Sequence, residues 1–231
     1  MKTKIVGFYG IKGGIGKTTN NTFLAHALQT KENAKVLLYD VDEDKPNAAK
    51  WRGRDSENGL ITNDSYEIQQ AMSEDLLEII EQVKDRGIYD YIIIDLPAGI
   101  NQKGVFNVLA FFDVMFIPCA ATDSELEDAI AFENMARKHD EVRISENLKP
   151  TKRLISFSKT KLILKESSDL VDLENREVLK KHFDVDFMEN HLKDYPKIST
   201  KYSTVTLMEN EKWADKVEVY FNECIDIIKK Y

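Results

Sequence analysis

The sequence is poor in cysteine and has no long apolar run. Its two cysteines, Cys119 and Cys224, show none of the spacings of metal ligands, so we expect two reduced, packed thiols. No apolar stretch approaches the roughly 18–20 residues that a membrane helix needs. The first residues, MKTKIVGFYG, lack the apolar core and the small-residue cleavage site of a secretory signal. These absences predict a cytoplasmic protein.

Proline-rich linkers, repeats and low-complexity segments are also absent, and with them any sign of an internal domain boundary. A chain of 231 residues can form one sizeable core, so we predict a single domain over residues 1–231. The net charge of −8 argues against a protein that coats nucleic acid with its whole surface, because an acidic field repels phosphate. A local basic face remains compatible with this charge.

Short β-branched runs alternate with longer helical stretches along the chain. The expected strands cover residues 4–9, 35–40, 89–95, 113–118 and 153–158, and the expected helices cover 18–30, 73–86 and 122–139. Ser73 and the Thr122/Glu125 pair are the capping residues expected at two of these helices. Continuous apolar strands between amphipathic helices predict an α/β fold, a mostly parallel twisted sheet with helices on both faces. Ligands bind at the carboxyl ends of the strands in such sheets.

A glycine-rich stretch, YGIKGGIGKTTN, follows the first predicted strand at residues 9–20. Its glycines allow main-chain N–H groups to surround phosphate oxygens at the start of a helix, where the partial positive charge also favours an anion. Lys17 is placed to bridge the terminal phosphates and Thr18 to offer a hydroxyl to Mg²⁺. The usual phosphate-loop pattern has glycine where this chain has Ile11, and Lys12 is an additional lysine near the start.

Acidic residues follow two further predicted strands, in LLYDVDED and IIIDLPAG. Carboxylates beside nucleotide phosphates require a cation between them, so these residues imply Mg²⁺ with its water shell. Asp95 fits a residue of the metal shell, Asp40 fits a ligand that acts through water, and Asp42 could polarise an attacking water. Each of the three could instead be a loop or capping residue bonded to main-chain N–H groups.

Three segments, KGGIGKTT, LLYDVD and YDYIIIDLPAG, resemble in order and spacing the deviant Walker A, Walker A′ and Walker B motifs of the ParA/MinD family of ATPases. The resemblance continues through FFDVMFIPCAATDSELEDA, covers most of residues 3–139 and is closest to the short plasmid-partition ParA type. It implies a phosphate-loop NTPase fold. One departure is Glu43-Asp44, because the family usually has Pro-Gln after the second aspartate.

The resemblance assigns a role to each polar residue near the predicted strand ends. The residues that it implies for ATP binding are Lys12, Gly13, Gly14, Ile15, Gly16, Lys17, Thr18 and Thr19. Lys12 matches the signature lysine that reaches across a dimer interface to the partner's nucleotide. Lys12, Lys17 and Asp42 are then the catalytic residues, and Thr18, Asp40 and Asp95 bind Mg²⁺. ATP is favoured over GTP because no N-K-x-D pattern appears, and the adenine is expected near FSKTK and Pro196.

Three function classes remain open at this point: a DNA-partition ATPase, a MinD-like membrane ATPase, and a reductase resembling the nitrogenase iron protein. The reductase needs two cysteine ligands per subunit for its bridging cluster, and the loop DLPAGINQK has none. Residues 211–231 carry an apolar stripe and an opposite face that leans acidic, which favours a helix docked on the sheet over one lying on anionic lipid. The stripe consists of Trp213, Val217, Tyr220, Cys224, Ile227 and Ile228.

The DNA interpretation depends on basic residues in the last third of the chain. Those residues are Lys149, Lys152, Arg153, Lys159, Lys161, Lys165, Lys180, Lys181, Lys193, Lys197 and Lys201. They could neutralise duplex phosphates without reading sequence, or they could simply be solvated. The preferred prediction is an ATP-dependent homodimer with weak intrinsic ATPase activity that holds nonspecific duplex DNA on the nucleoid and drives plasmid or chromosome partition. A ParB-like centromere-binding protein is the expected activator, and membrane binding is not expected. The alternatives are a MinD-like membrane-associated positioning ATPase and a ParA-like ATPase that positions another cargo on the nucleoid.

Overall fold

The computed structural model describes residues 2–42, 45–99, 104–160, 165–195, 203–205 and 214–231. Six parallel strands form one sheet in the order β3-β2-β4-β1-β5-β6. Their bounds are β1 Lys4–Phe8, β2 Val36–Asp40, β3 Glu67–Gln70, β4 Tyr91–Asp95, β5 Val114–Cys119 and β6 Lys152–Phe157. The predicted α/β fold with a parallel sheet is confirmed.

Helices connect these strands, and three more described helices follow β6. They are α1 Lys17–Glu32, α2 Asn47–Glu57, α3 Leu76–Arg86, α4 Val105–Val108, α5 Asp123–Ala136, α6 His139–Ser145, α7 Lys165–Val171, α8 Leu173–Phe183 and α9 Ala214–Lys230, with a 3-10 turn at Leu109–Phe111. The predicted cap at Thr122 is confirmed, since its side chain accepts a hydrogen bond from the Glu125 N–H. Two predicted boundaries are wrong: α3 begins at Leu76 rather than Ser73, and the helix expected over 122–139 ends at Ala136 before α6 begins.

The edge strand β3 has no counterpart among the predicted strands. Its four residues, EIQQ, are polar except for Ile68, and three of them are exposed. Among the strands that the structure describes, it pairs only with β2 and lies at the edge of the sheet. An edge strand with little buried surface carries no apolar run, and the hydrophobic pattern therefore gives no signal for it.

Two apolar layers cover the sheet, one on each face. The C-terminal helix α9 packs in one of them beside α1, and Val217, Tyr220, Phe221 and Ile228 on its inner side have no exposed surface. The expectation of a docked terminal helix is thereby confirmed for the described residues, whereas Trp213 lies outside them. Among the described residues, no helix is long and apolar enough to cross a membrane.

The strand order brings three sequence-predicted segments to one edge of the sheet. The central strand β1 lies between β4 and β5, and β4 lies between β1 and β2. Asp40 at the end of β2 is the register partner of Asp95 at the end of β4. The loop that follows β1 therefore lies beside both aspartates, as expected for parallel strands that end at the same edge.

Candidate functional site

The glycine-rich loop between β1 and α1 has the backbone of a phosphate-binding loop. Gly14 and Gly16 have φ values of 75° and 93°, which side chains disfavour. Gly16 occupies the cap position of α1 and no side chain caps the helix. The first N–H groups of α1 are therefore available to an anion, and the helix dipole favours one there.

Ile11, the departure from the usual loop pattern, anchors the loop to the neighbouring strand end. Its side chain packs against the apolar core, and its carbonyl accepts a hydrogen bond from the Gly99 N–H at 2.8 Å. The Tyr9 hydroxyl donates to the Gly99 carbonyl at 2.7 Å. These contacts fix the start of the loop against the segment after β4, so isoleucine contributes packing that glycine could not supply.

Lys17 is buried within its own loop. Its ammonium donates to the Lys12 carbonyl at 2.7 Å and lies 5.8 Å from the centre of the Tyr9 ring. Burial lowers the pKa of Lys17, and the nearby charges of Asp95 and Asp42 oppose that shift. A partly desolvated cation at the centre of an anion-binding loop is well placed to hold a phosphate group.

Lys12 points away from that loop and contacts helix α5. Its ammonium lies 2.8 Å from Glu125 Oε1 and 2.5 Å from Asp128 Oδ2, and the side chain is partly exposed. Hydrogen bonds to Asp128 and then Glu125 raise the pKa of Lys12 to about 12. Both carboxylates escaped the sequence analysis as site residues. Their only sequence signal is a pair of acids, three residues apart, in the first turns of a helix.

Asp95 and Asp40 are buried side by side. Asp95 Oδ1 accepts from Asn21 Nδ2 at 2.8 Å, and Asp40 Oδ2 accepts from the Ala49 N–H at 2.9 Å. Burial raises the pKa of Asp95 to about 7 and that of Asp40 to about 6. Asp40 Oδ1 is buried and has no hydrogen-bond partner among the described residues.

This donor set fits a hydrated divalent cation. A hydrogen bond from the Thr18 hydroxyl to Asp95 brings the hydroxyl and carboxylate oxygens together at the loop. Hard cations prefer oxygen ligands, and Mg²⁺ usually keeps several waters and binds through one or two carboxylates together with substrate phosphates. Within the described residues, no group of three or more His, Cys, Asp or Glu side chains forms a closed metal site. The arrangement therefore suits a metal shared with a phosphate ligand.

Asn21 is a further residue of this site that the sequence analysis missed. It lies on α1, and its side chain bonds to both main-chain groups of Phe8, at 2.7 and 3.1 Å, as well as to Asp95. The buried amide thus joins the first strand, the first helix and the Asp95 carboxylate. An amide that satisfies three buried polar groups fixes the orientation of the carboxylate.

Asp42 lies at the rim of a cavity of about 310 Å³ beside the loop. Its Oδ1 accepts a hydrogen bond from the Lys45 N–H at 3.0 Å. The cavity is lined by Gly13, Gly14, Gly16, Lys17, Thr18, Thr19, Asp42, Lys45, Asn47, Trp51, Leu96, Ala98 and Lys159. The structure thus brings Lys17, Thr18 and Asp42 together, whereas Lys12 lines a different cavity with Glu125 and Asp128. Glu43 and Asp44 lie outside the described residues.

A second cavity, of about 80 Å³, adjoins the loop on the side of β6. Its lining comprises Ile15, Gly16, Thr19, Asn20, Ser158, Lys159, Leu192, Lys193, Asp194 and Tyr195. Part of the FSKTK segment, near which the sequence predicts the adenine, lines this cavity, whereas Lys161 and Pro196 lie outside the described residues. Lys159 lines both cavities.

The basic residues of the last third do not form one free positive face among the described residues. Lys152 and Lys180 both pair with Asp186, at 2.6 and 3.0 Å. Arg153 is buried between Glu133 and Asp140. Lys161, Lys197, Lys201 and the side chain of Lys165 lie outside the described residues. Three of these cations therefore pair with local carboxylates.

The two cysteines lie in different layers of the core. Cys119 is 1 % exposed and belongs to one layer, whereas Cys224 is fully buried in the other. Burial raises the pKa of both thiols, so both stay protonated near neutral pH. The expectation of packed, reduced thiols is confirmed.

Comparison with known proteins decides the family. The family model described as "VirC1 protein" matches residues 3–169, which is well over half of the chain. The chain belongs to the VirC1 family. The resemblance to ParA/MinD ATPases is confirmed by this match and by the relatives of this VirC1-family chain.

Two curated relatives share part of the sequence. The maintenance of carboxysome distribution protein A of Gloeobacter kilaueensis is 29 % identical over 134 residues, which cover 58 % of this chain and 56 % of that protein. An uncharacterized ATP-binding protein of Methanocaldococcus jannaschii is 28 % identical over 151 residues, covering 54 % of this chain and 56 % of that protein. The chain thus spans about half the length of the curated relatives it matches.

Solved structures of low sequence identity share the fold. The MinD cell division protein of Aquifex aeolicus has a TM-score of 0.70 at 19 % identity, with 97 % of this chain and 96 % of that chain covered. Apo McdA from Cyanothece has a TM-score of 0.70 at 15 % identity, covering 98 % and 99 %. A plasmid partition protein of Borrelia burgdorferi, bound to AMPPNP, has a TM-score of 0.56 at 18 % identity and full coverage of both chains. These likenesses establish the MinD/ParA type of phosphate-loop fold.

Proposed function

We propose that this chain is an ATPase whose ATP-bound homodimer holds nonspecific duplex DNA and drives plasmid or chromosome partition. The observation that carries the ATP-dependent homodimer is the different placement of two lysines of one loop. Lys17 is buried in the loop beside the cavity, whereas Lys12 lies at the surface on two carboxylates of α5. Lys17 can serve the nucleotide of its own chain, whereas Lys12 can reach the nucleotide of a second copy. This arrangement suits a site that two copies of the chain complete.

ATP is the nucleotide that this site suits, with its phosphates in the cavity of about 310 Å³. Residues Lys12 to Thr19 supply the main-chain donors, and Lys17 holds the terminal phosphates. Mg²⁺, when bound, neutralises phosphate charge, and Thr18, Asp95 and Asp40 are the residues that hold it with its water. Solved relatives of this fold include a MinD complex with Mg-ADP from Pyrococcus horikoshii and an ATP complex of an McdA variant.

Asp42 is the residue proposed to orient and polarise the attacking water. Its carboxylate lies at the rim of the phosphate cavity and is held by the Lys45 N–H. A carboxylate in this position accepts a hydrogen bond from water and directs its lone pair at the terminal phosphate. The intrinsic rate is weak because Lys12, the second proposed catalytic lysine, is held on its own α5 until a partner subunit offers a phosphate.

The DNA-partition role rests on kinship within the family and on the proposed ATP switch, not on the basic segment. The Borrelia plasmid partition protein has the same fold. In this proposal the whole chain, residues 1–231, is one ATPase domain. In this proposal the dimer lies on the nucleoid in the cytoplasm until a ParB-like activator stimulates hydrolysis. Loss of the γ-phosphate then removes the target of Lys12 and releases the dimer.

A salt titration of duplex-DNA binding, with ATP and with ADP, tests this function. ATP-dependent binding of a random-sequence duplex that weakens steeply with salt is the expected result. Equal binding with ATP and ADP, or none with either, would contradict the DNA role while leaving ATP hydrolysis to be measured separately. A liposome-pelleting assay tests the MinD-like alternative. The apolar side of α9 is buried against the protein, which disfavours its insertion into lipid.

Positioning of another cargo is the second candidate function. It is favoured by the relative named for maintenance of carboxysome distribution, at 29 % identity over 134 residues. This candidate shares the ATP-dependent dimer and the proposed DNA binding but differs in the activator that stimulates hydrolysis. ATPase assays with candidate activator proteins distinguish the partition function from the positioning of another cargo, because they identify which protein stimulates hydrolysis.

A further inference from the structure

Lys159 follows β6 in a backbone conformation that is uncommon for lysine. Its φ is 52°, in the left-handed region where a side chain crowds the main chain and costs free energy. Strain of this kind persists only where the surroundings over-determine it, and such residues concentrate at functional sites. The position of Lys159 therefore needs a physical explanation.

The neighbours of Lys159 hold it in this conformation. Ser158 and Thr160 are buried, and their N–H groups donate to the Cys119 carbonyl at 2.9 Å and to the Leu192 carbonyl at 3.1 Å. The Ser158 hydroxyl also reaches the Ile15 carbonyl of the phosphate loop at 3.3 Å. Because both flanking residues are fixed, the main chain sets the direction of the Cα–Cβ bond of the exposed lysine between them.

That direction is over the phosphate loop. The Lys159 ammonium donates to the Gly14 carbonyl, and its Cε lies 3.6 Å from the position that a Cβ on Gly16 would take. The same side chain lines the cavity beside Lys17 and the smaller cavity beside Tyr195. Lys159 therefore lies where the two cavities adjoin and lines one of them together with Lys17.

The charge of Lys159 is available to an anion. Among the described residues it forms no ion pair, and a single main-chain carbonyl is its partner. Lys12, Lys152 and Lys180 each pair with a carboxylate instead. A carbonyl is a weaker partner for an ammonium than a phosphate oxygen, so an anion arriving at this junction would displace it.

We propose that Lys159 binds the phosphate group nearest the sugar of the bound nucleotide, as a third lysine of the site. This inference rests on the proposed nucleotide binding. A nucleotide with its terminal phosphates beside Lys17 and its base in the cavity beside Tyr195 places its first phosphate at the junction. Lys159 then joins the two halves of the site, one built by the loop and the other by the segment after β6.

Calorimetric titration of the full chain with ATP and with ADP, in Mg²⁺ at low and at physiological salt, tests the assignment. Lys159→Met should weaken both nucleotides by about tenfold, the scale of one hydrogen bond to a charged group. The preference for ATP over ADP should not change, because both nucleotides carry the first phosphate. Nucleotide affinity should also depend less on salt, since one charge contact is lost. A purely structural role of the side chain would leave that salt dependence unaltered.

Three further variants complete the test. Lys159→Arg should retain affinity within about threefold because it keeps the charge. Lys159→Gly relieves the left-handed backbone, so it folds even if Lys159→Met does not, and it should show the same loss of affinity. Lys138→Met, at an exposed lysine before α6, is the matched control and should bind as the unchanged chain does.

Two outcomes would overturn the assignment. If Lys159→Met and Lys159→Gly bind both nucleotides within about twofold of the unchanged chain, Lys159 does not contact the nucleotide, and the proposed ATPase function stands. If the loss is confined to ATP, the lysine contacts the terminal phosphate and the assignment to the first phosphate is wrong. Failure of the unchanged chain to bind ATP would reject the proposed function itself, and this inference with it.

Discussion

The ammonium of Lys12 lies 2.8 Å from Glu125 Oε1 of the same chain. A second carboxylate, Asp128, lies 2.5 Å from the same nitrogen. If Lys12 serves the nucleotide of a partner subunit, it must first leave these two acids, so each isolated chain holds its trans-acting group in an internal ion pair. Both contacts are partly solvated, so water screens them and the lysine can exchange them for another anion.

The double substitution Glu125→Gln and Asp128→Asn should strengthen the ATP-dependent dimer. Removal of both charges frees Lys12, and the dissociation constant of the dimer should fall by roughly twofold to tenfold. Sedimentation velocity over a protein concentration series in ATP measures it. Glu127→Gln, on the same helix and exposed, is the control and should leave the constant unchanged. A weaker dimer in the double variant would show that these acids support the interface instead.

Substitution of Asp42 should trap the ATP state. Asp42→Ala removes the carboxylate proposed to polarise water but leaves Lys17 and Thr18 in place, so ATP binding and dimerisation should persist. Hydrolysis should fall by about 10²–10⁴, the range for loss of general-base catalysis. A steady-state phosphate-release assay with the activator measures the change. Hydrolysis at the unchanged rate would assign the water-activating role to another residue.

Gly104 is a site where a side chain cannot be accommodated. A Cβ there would lie 2.3 Å from the Ser73 carbonyl oxygen, and the φ of Gly104 is 90°. Gly104→Ala should lower the free energy of unfolding by more than about 2 kcal/mol. The new methyl group would collide with a main-chain oxygen, and alanine is strained at this positive φ. Gly53 lies in α2 with open space around it, so Gly53→Ala should raise that free energy by about 0.5–1 kcal/mol. Urea denaturation monitored by circular dichroism compares the two variants, and equal effects would contradict this account.

Much of the fold could be predicted because five strands are buried on both faces and carry continuous apolar runs. The strand β3 and the helix α2 could not, because β3 is a polar edge strand and α2 buries only Ala48, Trp51 and Asp55. A short apolar pattern of this kind falls below what periodicity can detect. The break between α5 and α6 was missed for a related reason, since the helical pattern continues across it.

The candidate site also contains residues that the sequence predicts and residues that it does not. The loop and the three aspartates could be predicted because they lie in short contiguous motifs. Glu125 was missed because it meets Lys12 only through the fold, across 113 residues of sequence. Asn21 and Lys159 carry no motif of their own, and only the geometry of β1, α1 and β6 places them at the loop.

The central claim is that Lys17 binds the nucleotide of its own chain and Lys12 that of the partner subunit. Lys12→Ala tests this claim most directly. Sedimentation velocity with ATP should show a monomer for this variant and a dimer for the unchanged chain, while calorimetry shows that the variant still binds ATP. Lys17→Ala, the matched substitution on the same loop, should lose ATP binding itself. A Lys12→Ala chain that dimerises with ATP as readily as the unchanged chain would contradict the account.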